Sequence, residues 1–178
     1  MKKLFTIVLV CISSMAPWAQ ADVDYQLELG IRQQSGDAEA AGSTAKSQMG
    51  FQFGATAHLP LTGALHLRTG MLYTQRPLIV ETAGDETKVS INYLDIPVAL
   101  MYKFEEYVGV FAGVSLAMNI DKTNAEDVES PFIPVIIGTS FKFAPNLGAT
   151  LYYEGGGKAA DGLKDYRAVG ANLLITFD

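Results

Sequence analysis

The stretch QMGFQFGATAHL, residues 48–59, decides the fold. Met49, Phe51, Phe53, Ala55, Ala57 and Leu59 alternate with Gln48, Gly50, Gln52, Gly54, Thr56 and His58, with no slip over 12 residues. A period of two puts each set on its own face of a β-strand. The same alternation recurs on both sides of it. Upstream, Tyr25, Leu27, Leu29 and Ile31 oppose Gln26, Glu28, Gly30 and Arg32. Downstream, Leu65, Leu67, Thr69, Met71 and Tyr73 oppose His66, Arg68, Gly70, Leu72 and Thr74. A fourth strand returns from about Val89, with Leu94, Ile96, Val98, Leu100, Tyr102 and Phe104 on its apolar side. A fifth follows over Tyr107 to Ile120, a sixth from Ile133 to Phe143, a seventh from Leu147 to Glu154, and an eighth ends at Phe177.

The connections alternate too. Pro60 to Gly63, Glu105-Glu106 and Ala144-Pro145-Asn146 are tight turns. The other connections are a polar loop over Gln33 to Lys46, a reversal at Ala83-Gly84-Asp85, an acidic loop from Asp121 to Pro131, and a glycine-rich loop from Gly155 to Lys164. An even number of one-sided strands, with short connections on one side and longer ones on the other, predicts an all-β, eight-stranded antiparallel up-and-down transmembrane β-barrel. Both termini then lie on the short-turn, periplasmic side. Strand one closes on strand eight, so that no backbone edge meets lipid.

A secreted barrel of the lipocalin kind also has eight strands with one apolar face, but turns that face inward. The second face separates the two. On a soluble barrel it would be dense in Lys and Glu, whereas here Gly30, Gly50, Gly54, Gly70, Gly109, Gly113, Gly138, Gly148 and Gly170 dominate it. Small residues suit a cramped lumen. The apolar face carries no charge at the strand centres, where one Lys or Arg in lipid costs about 2–4 kcal/mol. Aromatics gather at the strand ends: Tyr25, Tyr102, Phe104, Phe143 and Phe177 near the short turns, Tyr73 and Tyr153 at the other end.

Met1-Lys2-Lys3, an apolar run Leu4 to Ile12, and Ala19-Gln20-Ala21 before Asp22 make up a positive n-region, an h-region and an A-x-A cleavage site. Residues 1–21 are therefore expected to be a cleaved signal peptide, and 22–178 an outer-membrane barrel domain. The lone Cys11 leaves with the leader; as a lipoprotein acceptor it would be preceded by Val10, where a small residue is expected. The two leader lysines leave as well, so the formal charge of −6 becomes −8. An acidic chain of this kind is a poor partner for nucleic acid. The hydrophobic fraction is 49% and the charged fraction only 18%, below the roughly 25% of soluble domains.

Chemistry-bearing residues are few. His58 and His66 flank the Pro60 to Gly63 turn, and a hairpin centred near Thr62 would set them opposite one another at the periplasmic mouth. Two imidazoles fall short of the three protein ligands of a catalytic zinc site. They also lie at the wrong end for a lipid A-modifying enzyme, whose His and Ser groups face the outer leaflet. No catalytic, metal or cofactor site is therefore assigned. The lumen-facing charges Glu28, Arg32, Arg68, Asp95, Lys103, Lys142 and Glu154 are of both signs. A barrel of eight strands is only wide enough for side chains to fill, so these charges are expected to pair as a plug. Strand level suggests Glu28 with Arg68, and Arg32 with Asp95 or Glu154. Pro97 and Pro134 fall inside strands and imply bulges or local distortion. From Ala64 to Thr82 the chain is long enough, about 45 Å of tilted height, to stand above an apolar band of about 25 Å, with Pro77 a possible interruption.

The segment YLDIPVALMYKF, residues 93–104, resembles the outer membrane protein β-barrel domain family, including its PorT-like branch. Tyr93, Asp95, Pro97, Tyr102 and Phe104 carry the likeness, and over the rest of 22–178 it is architectural, shared with OmpA-like and OmpX-like barrels. The family's barrels end on an aromatic residue; here Phe177 is followed by Asp178. The resemblance implies the outer membrane of a Gram-negative bacterium, contact with outer-membrane lipids, and insertion by the barrel-assembly machinery. Three roles follow in order of preference: a non-enzymatic barrel whose long loops act in adhesion, extracellular or secreted partner binding, or envelope integrity; a PorT-like secretion or assembly factor; and a lipid A-modifying enzyme.

Overall fold

A computed structural model describes residues 23–38, 43–82, 85–105, 107–123, 130–156 and 163–177, and every regular element in them is a β-strand. These are β1 (Asp24–Ala38), β2 (Ser43–Lys46), β3 (Gln48–Thr62), β4 (Leu65–Thr82), β5 (Asp85–Glu105), β6 (Val108–Thr123), β7 (Val135–Ala144), β8 (Leu147–Gly155) and β9 (Leu163–Phe177). The expected leader lies outside the described residues. From β3 to β9 each strand pairs antiparallel with the next, while β1 pairs with β3 on one side and β9 on the other. β2 and β3 share β4 as partner and are parted at Ser47. Nine segments thus make eight staves of a closed barrel, and closure gives the backbone its partners without help from solvent.

Within the staves the alternation is obeyed. Leu29, Phe53, Leu100, Ile137, Leu151 and Val169 are exposed on the outside, whereas Glu28, Arg32, Gln52, Thr56, Asp95 and Asn172 are buried inside. Glycines on the second face admit the rings that fill the interior. A Cβ on Gly170 would lie 2.3 Å from the Tyr152 ring, and one on Gly138 would lie 2.5 Å from Phe111.

Several expectations need correction. The polar loop over Gln33 to Lys46 is largely strand: β1 runs on to Ala38 against β9, and Ser43–Lys46 forms β2 against β4. The polar composition misled because these segments rise above the lipid, where a strand has no need of an apolar outer face. For the same reason β5 begins at Asp85 rather than near Val89, and β6 continues through Asp121 to Thr123. Pro77 does not interrupt the hairpin; it pairs with Ser90, and the ladder continues to Thr82 and Asp85. Pro97 causes no bulge, but it does bring the expected local distortion. The β4–β5 pairing lapses between Thr69–Val98 and Leu72–Asp95 and resumes in the same register, while Pro97 keeps Ser115 as its partner on β6. Pro134 lies just before β7, and its carbonyl accepts from the Ser115 N–H at 2.9 Å. The register shifts instead fall elsewhere, for example at Pro60/Thr62, Lys103/Glu105 and Lys142/Ala144 beside the short turns.

Towards the long-loop end the polarity inverts. On β4 the outward series Met71, Tyr73 gives way to Gln75, Pro77, Ile79 and Glu81, polar at both ends, while the inward series Thr74, Arg76 gives way to Leu78. On β5 the outward residues become Asn92, Ser90 and Lys88, and the inward ones Ile91 and Val89, both buried. The upper hairpin is therefore built like a soluble protein, with its apolar side turned in. On its outer face Lys46 bridges Glu81 at 2.8 Å and Glu86 at 2.5 Å. Hydrogen bonds donated to these carboxylates hold the Lys46 ammonium above its ordinary range, and the bond from Lys46 holds Glu86 below its own.

Lipid depth sets the cost of an outward charge. Leu29→Arg, at mid-height between Phe53 and Leu173, is expected to lower the unfolding free energy in vesicles by about 2–4 kcal/mol, and Tyr25→Arg at the short-turn rim by about 0–1 kcal/mol. Urea titration followed by circular dichroism measures both; equal losses would contradict the placement of the lipid band.

Candidate functional site

The lumen is filled in three tiers. Nearest the short turns Glu28 accepts hydrogen bonds from Arg68 Nη2 at 2.5 Å, Thr56 Oγ1 at 2.6 Å and Asn172 Nδ2 at 2.7 Å. Arg68 in turn lies 4.6 Å from the centre of the Phe111 ring, a favourable cation–π contact in a desolvated setting. β1, β3, β4 and β9 supply these groups diagonally: Glu28 pairs with Gly54 and Leu174 and Thr56 with Gly70, and Thr56, Asn172 and Arg68 each stand two residues off those partners on the same face, an offset that the tilt of barrel strands brings to one level.

The middle tier joins Arg32, Arg76, Asp95 and Glu154. Arg76 grips Asp95 with two bonds of 3.0 and 2.8 Å and reaches Glu154 Oε1 at 2.9 Å. Arg32 donates to the same Glu154 oxygen at 2.9 Å, to Gln52 at 3.3 Å, and to the Tyr166 hydroxyl. That hydroxyl also receives Arg76 Nε at 3.0 Å, and Tyr152 donates to Gln52 at 2.8 Å. With Glu28 and Arg68, three guanidinium groups and three carboxylates are buried here, so the set is electrically neutral. A cavity of about 20 Å³ lies among Gln52, Arg68, Asp95, Ser115, Glu154 and Asn172, room for about one water.

The uppermost tier is apolar. Leu78, Val89, Ile91, Tyr93, Ala117, Phe132, Tyr166 and Ala168 form one buried cluster. Phe132 stands edge-on to Tyr166, at 5.3 Å. Arg76 lies under this roof, 4.6 Å from the Tyr93 ring centre and 5.7 Å from that of Tyr166. Tyr93 and Tyr166 thus belong to both tiers.

Of the residues singled out from sequence, Glu28 meets Arg68 and Arg32 meets Glu154, while Asp95 takes Arg76 in place of Arg32. Arg76 is the hub that sequence reasoning missed. Carrying the third strand's inner series two residues past Thr74 would have found it, and carrying the eighth back two from Ala168 would have found Tyr166. Lys103 pairs with Asp24 at 2.5 Å at the short-turn mouth, with Lys142 adding its charge nearby. The two histidines do not face each other. A register shift at Pro60/Thr62 sets His58 against Arg68 and His66 against Pro60. His58 is buried beside Gln26, 3.4 Å from its amide nitrogen, and the half-buried His66 has its ring nitrogen 3.2 Å from the Ala64 carbonyl. The YLDIPVALMYKF segment divides by face: Tyr93, Asp95 and Pro97 are buried inside, whereas Tyr102 and Phe104 meet edge-on at 5.1 Å on the lipid side.

Removing one member of a buried charge set strands its partner, at a typical cost of 3–5 kcal/mol. Arg76→Met is expected to destabilise the folded barrel by about that amount. Because Arg32 still neutralises Glu154, adding Asp95→Leu should recover part of the loss. Chemical unfolding of the single and double variants measures the coupling; additive losses would mean that the two residues do not act as a pair.

Comparison with known proteins agrees with this architecture. The crystal structure of OprG from Pseudomonas aeruginosa superposes with a TM-score of 0.56 at 12% identity, covering 88% of this chain and 97% of that one. Ail, the attachment invasion locus protein of Yersinia pestis, solved with the heparin analogue sucrose octasulfate, gives 0.54 at 14% identity, with 87% and 99% covered. Neisserial surface protein A gives 0.51 at 18% identity, with 87% and 97% covered. No curated protein sequence matches the chain significantly. The model of the family described as "Outer membrane protein beta-barrel domain" matches residues 18–175. With that match spanning the whole barrel, the chain belongs to the outer membrane protein β-barrel domain family, and its place is the bacterial outer membrane.

Proposed function

We propose that this barrel is non-enzymatic and closed to solutes, and that it works through its long-loop end by binding a partner at the cell surface. The reading rests on the neutral set of three guanidinium groups and three carboxylates beneath an apolar roof. Each of those charges is already engaged by another, so a solute passing through would have to break several buried ion pairs in sequence. The same engagement argues against acid–base catalysis in the lumen, which needs a group free to reach a substrate proton. Reading the short-turn end as periplasmic puts the far ends of β4, β5 and β6 at the cell surface, and loops carried on a rigid scaffold are where binding usually resides.

Two measurements test this. The purified protein in planar bilayers is expected to give no sustained nanosiemens-scale openings, and such openings in the unmodified chain would overturn the closed-lumen reading. Replacing the loop tips around Gly84 and Gly156 with short Gly-Ser connections should abolish capture of surface or secreted partners from outer-membrane extracts while leaving the folded barrel intact. Undiminished capture would place the function elsewhere.

A further inference from the structure

Pro97 leaves one carbonyl of the barrel wall without its ladder partner. On β5 the backbone edge of every second residue faces β4. The Lys103 N–H donates to the Ala64 carbonyl at 2.9 Å, and Pro97, six residues earlier in an unbroken register, faces the same way. The other side of the strand agrees. Ser115, the partner of Pro97 on β6, turns its own N–H away to the Pro134 carbonyl at 2.9 Å. Pro97 and Ser115 are therefore a non-hydrogen-bonded pair, and the Pro97 nitrogen points at β4. The register that runs from Leu65–Tyr102 to Thr69–Val98 and resumes at Leu72–Asp95 puts Gly70 opposite it. Any other residue at 97 would donate to the Gly70 carbonyl, but proline has no N–H. That one missing bond accounts for both lapsed pairs, Gly70–Pro97 and Met71–Ile96, since the pairs on either side need only the bonds that remain.

The Gly70 carbonyl lies within the lipid band. Met71, next along β4, and Val98, next to Pro97 on β5, are exposed on the outer face. Hydrocarbon offers no donor there, and an unpaired backbone carbonyl in that medium is costly. The lumen side is different. Leu72, Asp95, Pro97 and Ser115 line the cavity of about 20 Å³, and they are the inward residues around the gap. Leu72 and Asp95 form the next inward pair above it, and Ser115 stands beside Pro97 on β6. Gly70 has no side chain of its own to screen its carbonyl from that space. A polar cavity of one-water size with two to four polar groups in reach is a water site. A larger ligand does not fit, and an ion would unbalance three guanidinium groups and three carboxylates that already neutralise one another.

We infer that the cavity is a binding site for one water molecule, held within the lipid band, which donates to the Gly70 carbonyl in place of the missing Pro97 N–H. Its second hydrogen goes to the Asp95 carboxylate, and its oxygen accepts from the Ser115 hydroxyl. The bond that the proline takes from the wall is thus returned from the lumen, and the β4–β5 seam is tied to the buried charge set through Asp95.

Solid-state NMR of the isotope-labelled mature chain, residues 22–178, in bilayers of deuterated lipid tests this with water itself as the probe. Magnetisation from water is expected to reach the Leu72 and Ser115 amides at least twofold faster than those of Leu29 and Leu151, whose side chains face lipid on other staves. The Gly70 carbonyl carbon should resonate with those of ladder-bonded glycines such as Gly54. Ser115→Val removes one partner and fills the room, so it should abolish the faster transfer at Leu72 and move the Gly70 carbonyl upfield. Equal transfer at all four amides of the unmodified protein would overturn the inference, as would a Gly70 carbonyl already upfield in it; neither reading depends on the variant folding. Faster transfer that persists in folded Ser115→Val would also overturn it, since the water would then not be held at this site.

Discussion

Hydrocarbon offers no hydrogen bonds, and most of this structure follows from that one fact. A chain that crosses it in strands must pair every backbone N–H and C=O within itself, which for a sheet means closure of β1 on β9. Closure at eight staves then fixes a lumen about as wide as two facing layers of side chains. Whatever points inward must fit and must be satisfied there, because little water remains to do it. The glycines opposite Tyr152 and Phe111, the neutral arginine–carboxylate set and the roof of aromatic and aliphatic groups answer that demand in different ways.

What the chain discloses without coordinates follows the same boundary. Inside the membrane the two faces see different media, so alternation is strict, and residues such as Phe53, Leu100 and Val169 could be placed by parity alone. Above the lipid the outer face meets water, and the apolar-outward signal is lost. Ser43–Lys46, the start of β5 before Val89 and the end of β6 past Ile120 therefore look like loop although they are strand. The polar site was half legible for a related reason. Parity identified the lumen charges except Arg76, and strand level paired Glu28 with Arg68 but left Arg32 between Asp95 and Glu154, since that choice depends on stagger between strands distant in sequence. Asp95 is 19 residues from Arg76, whereas Glu154 is 122 from Arg32 and reaches it only through closure. The facing of His58 and His66 failed on the centre of the turn, which falls at Gly63-Ala64, with Thr62 paired to Leu65, rather than at Thr62; Gly63 has a φ of +49°, in the left-handed region that favours glycine.

The inversion of polarity along β4 and β5 ties these observations together. A barrel that ended at the lipid surface could leave its lumen open to bulk water above the charges. Here the staves go on, turn their apolar side inward, and bring Tyr93 and Tyr166 down onto Arg76. The roof excludes water from the guanidinium–carboxylate contacts, which strengthens them, and those contacts in turn hold the β4–β5 hairpin over the mouth. Stability of the closed lumen and rigidity of the upper hairpin are therefore one property.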